Sequence, residues 1–375
     1  MPDIFLPFPF AEPDMLAAML GPDRAETLDL RPAEARGLAL RADPRGARVA
    51  LCRDPGARAE GMVLRRPEKE TAERLRFVLT GFGGWRPVVA PTTAGAAEAM
   101  LAPLETAPAA PWPAAPEPEW RVHLAEAAAE IAAFHGARAA EDLAGLLPGI
   151  SFRALARARG AAEAAPAAHR RGFRRDEIET TALDRPYASY FAVEEHRLRH
   201  PRFDGRTSPE LLRAVWASGD AVTLVPFDPG RRAVLLVEQF RPGPFARRDP
   251  CPWCLEPIAG RCDAGETVEE TARREAEEEA GLALGRMERI AGYYSSPGTI
   301  AEHLTSFVGE ADLSGAGGVH GLAEEDEDIR TLVLPLEEAL RLVETGEINN
   351  GPLVLTLFWL RTEAERLARE WAQPA

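Results

Sequence analysis

Residues 260–282 concentrate the side chains best suited to chemistry in this chain. Glu275, Glu278 and Glu279 stand at i, i+3 and i+4, which on a helix places three carboxylates on one face. Such like charges destabilise a bare helix, whereas hard divalent cations, which take oxygen ligands, would offset the repulsion. The plain alternative is a solvated acidic helix, and that description suits Glu269, Glu270 and Glu277. Cys251-Pro252-Trp253-Cys254 has the spacing of redox and zinc motifs. A zinc site needs four ligands, however, and a redox pair opens a helix, which Pro250 and Pro252 interrupt. Cys52, Cys251, Cys254 and Cys262 are therefore expected to be unpaired thiols.

The acidic segment resembles the Nudix box, G-x5-E-x7-R-E-U-x-E-E-x-G-U with U aliphatic. The match covers Gly260, Glu266, Arg274, Glu275, Glu278, Glu279 and Gly281, with Leu282 at the last aliphatic position and the smaller Ala276 at the first. The resemblance implies a loop–helix–loop that binds Mg²⁺, or Mn²⁺ in its place, and hydrolyses a nucleoside diphosphate linked to another moiety. Cations there would neutralise pyrophosphate oxygens and help activate water, with Arg274 holding the carboxylates in place.

The flanks are similar to the ADP-ribose diphosphatase branch: residues 200–205, 219–222, 227–229, 237–241, 256–260, Ser296-Pro297-Gly298 and 320–323. In that branch a proline about 16 residues beyond the box glycine accompanies ADP-ribose selectivity, and Pro297 fits. Position by position, the resemblance makes the Ala259 carbonyl, Glu275, Glu279 and Glu327 metal ligands. Glu325 aligns with the general base, and Glu278 and Arg274 join the catalytic group. Arg241 falls at the diphosphate, Ser296 and Glu302 at the ribose, and Arg261 among the substrate contacts. Tyr190 and Phe191 match aromatics that stack on adenine from the partner subunit, and Arg213 another contact across subunits, which implies a homodimer. Ser218 departs from the pattern, standing where close relatives can carry an arginine. The activity implied is Mg²⁺-dependent hydrolysis of ADP-ribose to AMP and ribose 5-phosphate. The alternatives are another nucleoside diphosphate sugar or a dinucleotide as substrate, or a Nudix protein that senses ADP-ribose without cleaving it.

The elements that must position these residues come from the rest of the 375-residue chain, long enough for two or three domains. The formal charge of −15 argues against a nucleic-acid partner, and no apolar run reaches membrane length. With no leader visible at Met1, a cytoplasmic protein is expected. Strands are expected at 187–193, 221–226, 233–238, 290–294, 304–309 and 331–334, and helices at 267–280, 336–345 and 353–369. Six prolines within 103–118 predict an extended spacer. After it come a helix over 120–134 and a second over 140–147, ended by Pro148.

The expected division is residues 1–117, a helical connector at 118–170 and a hydrolase domain at 171–375, in an α+β protein. For the hydrolase the resemblance implies an α/β/α sandwich with a mixed sheet. Residues 1–117 resemble a degenerate γ-glutamylcyclotransferase-like domain, a small β-barrel found before Nudix domains in a tellurite-resistance-associated bacterial group. The resemblance rests on residues 3–5, 16–21, 55–61 and 81–83. Pro7-Phe8-Pro9-Phe10 replaces that family's Tyr-Gly-(Ser/Thr)-Leu loop, and no acid stands near Leu79-Thr80, where its catalytic glutamate should fall. Cyclotransferase activity is therefore expected to be lost.

Overall fold

The computed structural model describes residues 1–42, 49–102, 110–111, 118–321 and 328–372. It is an α+β protein of two compact units, Met1–Gly219 with Asp263–Gly265, and Asp220–Cys262 with Glu266–Ala375.

In the first unit, five strands close on themselves in the order Val49–Leu64, Ile4–Pro7, Gly95–Leu101, Arg86–Thr92 and Leu30–Ala42, the last pairing back onto the first. This agrees with the expected small barrel. Helix Lys69–Gly81 buries Ala72, Leu75, Val78 and Leu79, the i, i+3, i+4 stripe of an amphipathic helix. Gly81 ends it where a Cβ would lie 2.6 Å from Ile131 Cγ2, so the bare backbone lets helix Pro118–Ala133 approach. The expected helix at 140–147 is instead a 3₁₀ turn, Ala140–Gly145, and Pro148 opens helix Leu147–Ala162 rather than closing the one before it. A first-turn proline suits this place, because its missing N–H has no intrahelical partner to lose. Strands Glu179–Ala188, Ala192–Arg199 and Leu211–Ala217 form a separate antiparallel sheet. The strand expected over 187–193 is thus broken by a turn at 189–191.

In the second unit, a mixed sheet runs Met287–Tyr294, His303–Glu310, Ala221–Asp228, Ala233–Phe240, Ile329–Pro335, Gly318–His320. Among the described residues, only the Ala221–Asp228 and His303–Glu310 pair of this sheet is parallel. The period-two alternation of strand side chains divides the core. Val222, Leu224, Leu235 and Val237 face helix Val268–Ala280, whereas Val225, Phe227, Val234 and Leu236 face Leu336–Thr345 and Gly351–Trp371. The sandwich is the expected one.

In the first unit His123 is buried, its Nε2 3.1 Å from Ser151 Oγ, and burial, ahead of the nearby Arg159 and Arg157, lowers its pKa to about 4. The unfolded chain binds this proton near pH 6.5 and the folded chain only near 4, so folding stability falls as pH drops through that interval. The loss reaches about 3 kcal/mol below it. Urea denaturation at pH 6.5 and 4.5 should show a smaller loss in His123→Gln than in the parent; equal losses would remove His123 as the cause.

Candidate active site

Helix Val268–Ala280 begins with a reciprocal cap. Thr267 Oγ1 accepts from Glu270 N at 3.2 Å, and Glu270 Oε2 accepts from Thr267 N at 2.8 Å. It ends at Gly281, whose φ of 62° is the left-handed conformation that glycine adopts without strain. The cap phases the helix so that Ala272, Ala276 and Ala280 meet the sheet, and Glu275 and Glu279 are carried to the same side.

Arg274 organises the carboxylates. Its Nη1 donates to Glu275 Oε1 at 2.7 Å and to Glu278 Oε2 at 2.8 Å, its Nε to Glu266 Oε1 at 3.0 Å, and its Nη2 to the Arg261 carbonyl at 3.1 Å. Burial opposes this charge, but the Glu266 hydrogen bonds, the Glu275 charge and the Glu278 bond outweigh it, and the guanidinium pKa is raised. Glu266 is held in turn by Thr271 Oγ1 at 3.0 Å.

Glu275 and Glu279 are 9% and 4% exposed. Ala259 N donates to Glu279 Oε2 at 3.4 Å, so that carboxylate lies beside the backbone proposed to supply a carbonyl ligand. At Gly260 an added Cβ would stand 1.7 Å from Glu275 Oε1, so the glycine leaves the space this carboxylate fills. Two buried carboxylates beside a backbone carbonyl make an all-oxygen donor set, which fits a hard divalent cation. Among the described residues no three acidic, histidine or cysteine side chains converge as a metal cluster. Glu325 and Glu327, expected as general base and further ligand, lie outside the described residues.

Arg241 Nε donates to Glu256 Oε2 at 2.6 Å, and Asn350 Nδ2 donates to Glu256 Oε1 at 2.8 Å while its Oδ1 caps helix Gly351–Trp371. Sequence reasoning assigned no role to Glu256 or Asn350. Neither follows from a spacing rule. Ser296 lies in an exposed turn whose carbonyl accepts from Thr299 N and Ile300 N, and Glu302 precedes strand His303–Glu310. Arg261 ends strand Ile258–Arg261, and Arg330 pairs with Glu238 at 2.5 Å beside a cleft of about 410 Å³ that Trp253 and Asp328 also line. Tyr190, Phe191 and Arg213 belong to the first unit. Tyr190 is 68% exposed at the 189–191 turn, Phe191 packs on Tyr187 and Trp216, and Arg213 Nη1 donates to the Leu212 carbonyl. The four cysteines are free thiols.

The sandwich and its carboxylate-bearing helix are those of a diphosphate hydrolase, and the model of the NUDIX domain matches residues 217–357. The chain belongs to the Nudix family and is a hydrolase. It is 41% identical over 200 residues to the ADP-ribose pyrophosphatase of Escherichia coli K12, covering 53% of this chain and 95% of that enzyme. It is 36% identical over 203 residues to the ADP-ribose pyrophosphatase of Haemophilus influenzae, covering 53% and 93%. It is also 34% identical over 171 residues to the GDP-mannose pyrophosphatase of Enterobacter, covering 44% and 87%. No helix among the described residues is long and apolar enough to cross a membrane.

Gly260→Ala should lower turnover at least tenfold with a melting temperature near the parent's, because the methyl group displaces only the flexible end of Glu275. A melting temperature that falls together with activity would show the methyl group disturbing the sheet instead.

Proposed function

We propose that this hydrolase cleaves the diphosphate of ADP-ribose, with water as co-substrate, to give AMP and ribose 5-phosphate, using Mg²⁺. The observation that carries the reading is the Arg274 clamp on Glu275 and Glu278, with Glu279 accepting from Ala259 N on the same helix. The identity to two ADP-ribose pyrophosphatases supports this substrate. Glu275, Glu279, Glu327 and the Ala259 carbonyl would hold the cations, which supply neutralisation of the diphosphate oxygens and a more acidic water.

Around them, Glu325 takes the proton of the attacking water and Glu278 stands close by as a further carboxylate. Arg241, held by Glu256, grips the diphosphate, Ser296 and Glu302 contact the ribose, and Arg261 is a further substrate contact. Tyr190 and Phe191 stack on the adenine of the other subunit's site across a homodimer, and Arg213 makes another contact across the subunits. The hydrolase occupies 171–375, behind a connector at 118–170 and a barrel at 1–117 without cyclotransferase activity, in a cytoplasmic protein. The Enterobacter relative supports a second reading in which another nucleoside diphosphate sugar is the substrate.

Protein incubated with ADP-ribose and Mg²⁺ should release AMP and ribose 5-phosphate, stop with chelator and resume with added Mg²⁺. A panel including GDP-mannose should give its highest kcat/KM on ADP-ribose; a higher value for GDP-mannose would select the second reading. Glu279→Gln should lower turnover at least tenfold without unfolding, and near-normal turnover would remove Glu279 from the metal set.

A further inference from the structure

The turn at 189–191 rests against a helix that lies N-terminal to the family's matched region. Gly149, in the first turn of Leu147–Ala162, sits so close to it that an added Cβ would lie 2.6 Å from the Ser189 carbonyl oxygen and 3.3 Å from that of Tyr190. Both are backbone atoms that cannot swing aside. The turn is internally tight, with Ser189 N donating to the Phe191 carbonyl at 2.9 Å, so it moves as one piece.

One turn further along the same helix, Arg153 is buried and donates through Nε to Glu130 Oε1 at 3.0 Å. Its Nη1 has no hydrogen-bond partner among the described residues and would stand 3.2 Å from a Gly149 Cβ. Arg157 donates to Glu130 Oε2 at 2.5 Å, to Glu126 Oε2 at 2.9 Å and to Glu194 Oε1 at 3.4 Å; Arg185 reaches the same Glu194 oxygen at 2.9 Å. The network ties both connector helices to the hairpin that carries the turn. At Gly219, with φ of 120°, an added Cβ would lie 2.9 Å from Phe152 Cβ, a second glycine-mediated approach to this helix.

We propose that helix Leu147–Ala162 is a positioning element for substrate, setting through Gly149 the height of the 189–191 turn and so the placement of Tyr190 and Phe191. This rests on the reading that the aromatic pair stacks on the base of the substrate. The connector then has a function separate from linking: it is the anvil on which a substrate-contacting turn is formed. Gly149 and the Arg153–Arg157 network are positioning residues, none of them touching the reacting atoms.

The test is steady-state hydrolysis of ADP-ribose with Mg²⁺ by the full chain. Gly149→Val should raise KM at least fivefold and leave kcat within twofold of the parent. Gly149→Ala should lie between, and serves if the valine variant fails to fold. Gly160→Val, on the same helix at an exposed glycine with nothing within 4 Å, should change neither constant. A merely structural effect would lower the active fraction, and hence apparent kcat, without moving KM. Phe191→Ala and Tyr190→Ala separate the two layers. If both leave KM unchanged, the stacking reading falls. If either raises KM while a folded Gly149 variant does not, stacking stands and the positioning proposal is overturned.

Discussion

The hydrolase unit depends on holding several carboxylates close together inside a fold that gains nothing from their proximity. Arg274 meets that demand. Its planar guanidinium offers donors in several directions, and Glu266, Glu275 and Glu278 each take at least one while the Arg261 carbonyl takes another. A lysine in its place would present a point charge and could not serve four acceptors in a fixed plane. Because the guanidinium is itself held by Glu266, and Glu266 by Thr271, the helix enters the site with its acidic face already shaped.

Two further constraints make this clamp useful. The helix must lie against the sheet at a fixed rotation, which the small residues Ala272, Ala276 and Ala280 allow by letting its axis come close. The strand beneath must yield space for a carboxylate, which is the role of Gly260. The glycine of the motif is thus a vacancy filled by Glu275 rather than a flexible joint. Arg241 repeats the logic at lower density: one arginine, one buried carboxylate at Glu256, and Asn350 bonding the carboxylate's other oxygen.

The sequence displays the clamp because its chemistry is local: Glu275, Glu278, Glu279 and Arg274 fall within one helix, where spacing and facing are the same fact. The second unit's strands are legible for a similar reason, since burial on both faces writes short unbroken apolar runs such as Val234 to Val237. Asn350 and Glu256 lie 94 residues apart and meet only through folding, so no spacing announces them. Pro148 illustrates a different limit: proline closes one helix and opens the next with equal ease, and only the buried face of Leu147–Ala162 decides between them. The break at 189–191 is hidden because Tyr190 and Phe191 are aromatics of the kind that strands favour.

The glycines bear differently on the two halves of the chain. Gly260 belongs to a motif and is legible from it, whereas Gly149 follows Pro148 at an expected helix end, where no motif marks it. Both admit a neighbour where a methyl group would not fit, and neither needs a positive φ. What differs is the neighbour: a side chain end at Gly260, rigid backbone at Gly149. A side chain can yield to a methyl group at the expense of its own function, while backbone carbonyls can yield only by moving the residues they carry. The connector helix is therefore coupled to the 189–191 turn more stiffly than an ordinary packing contact would make it, and Glu130, its side chain 0% exposed between Arg153 and Arg157, holds that same face of the helix.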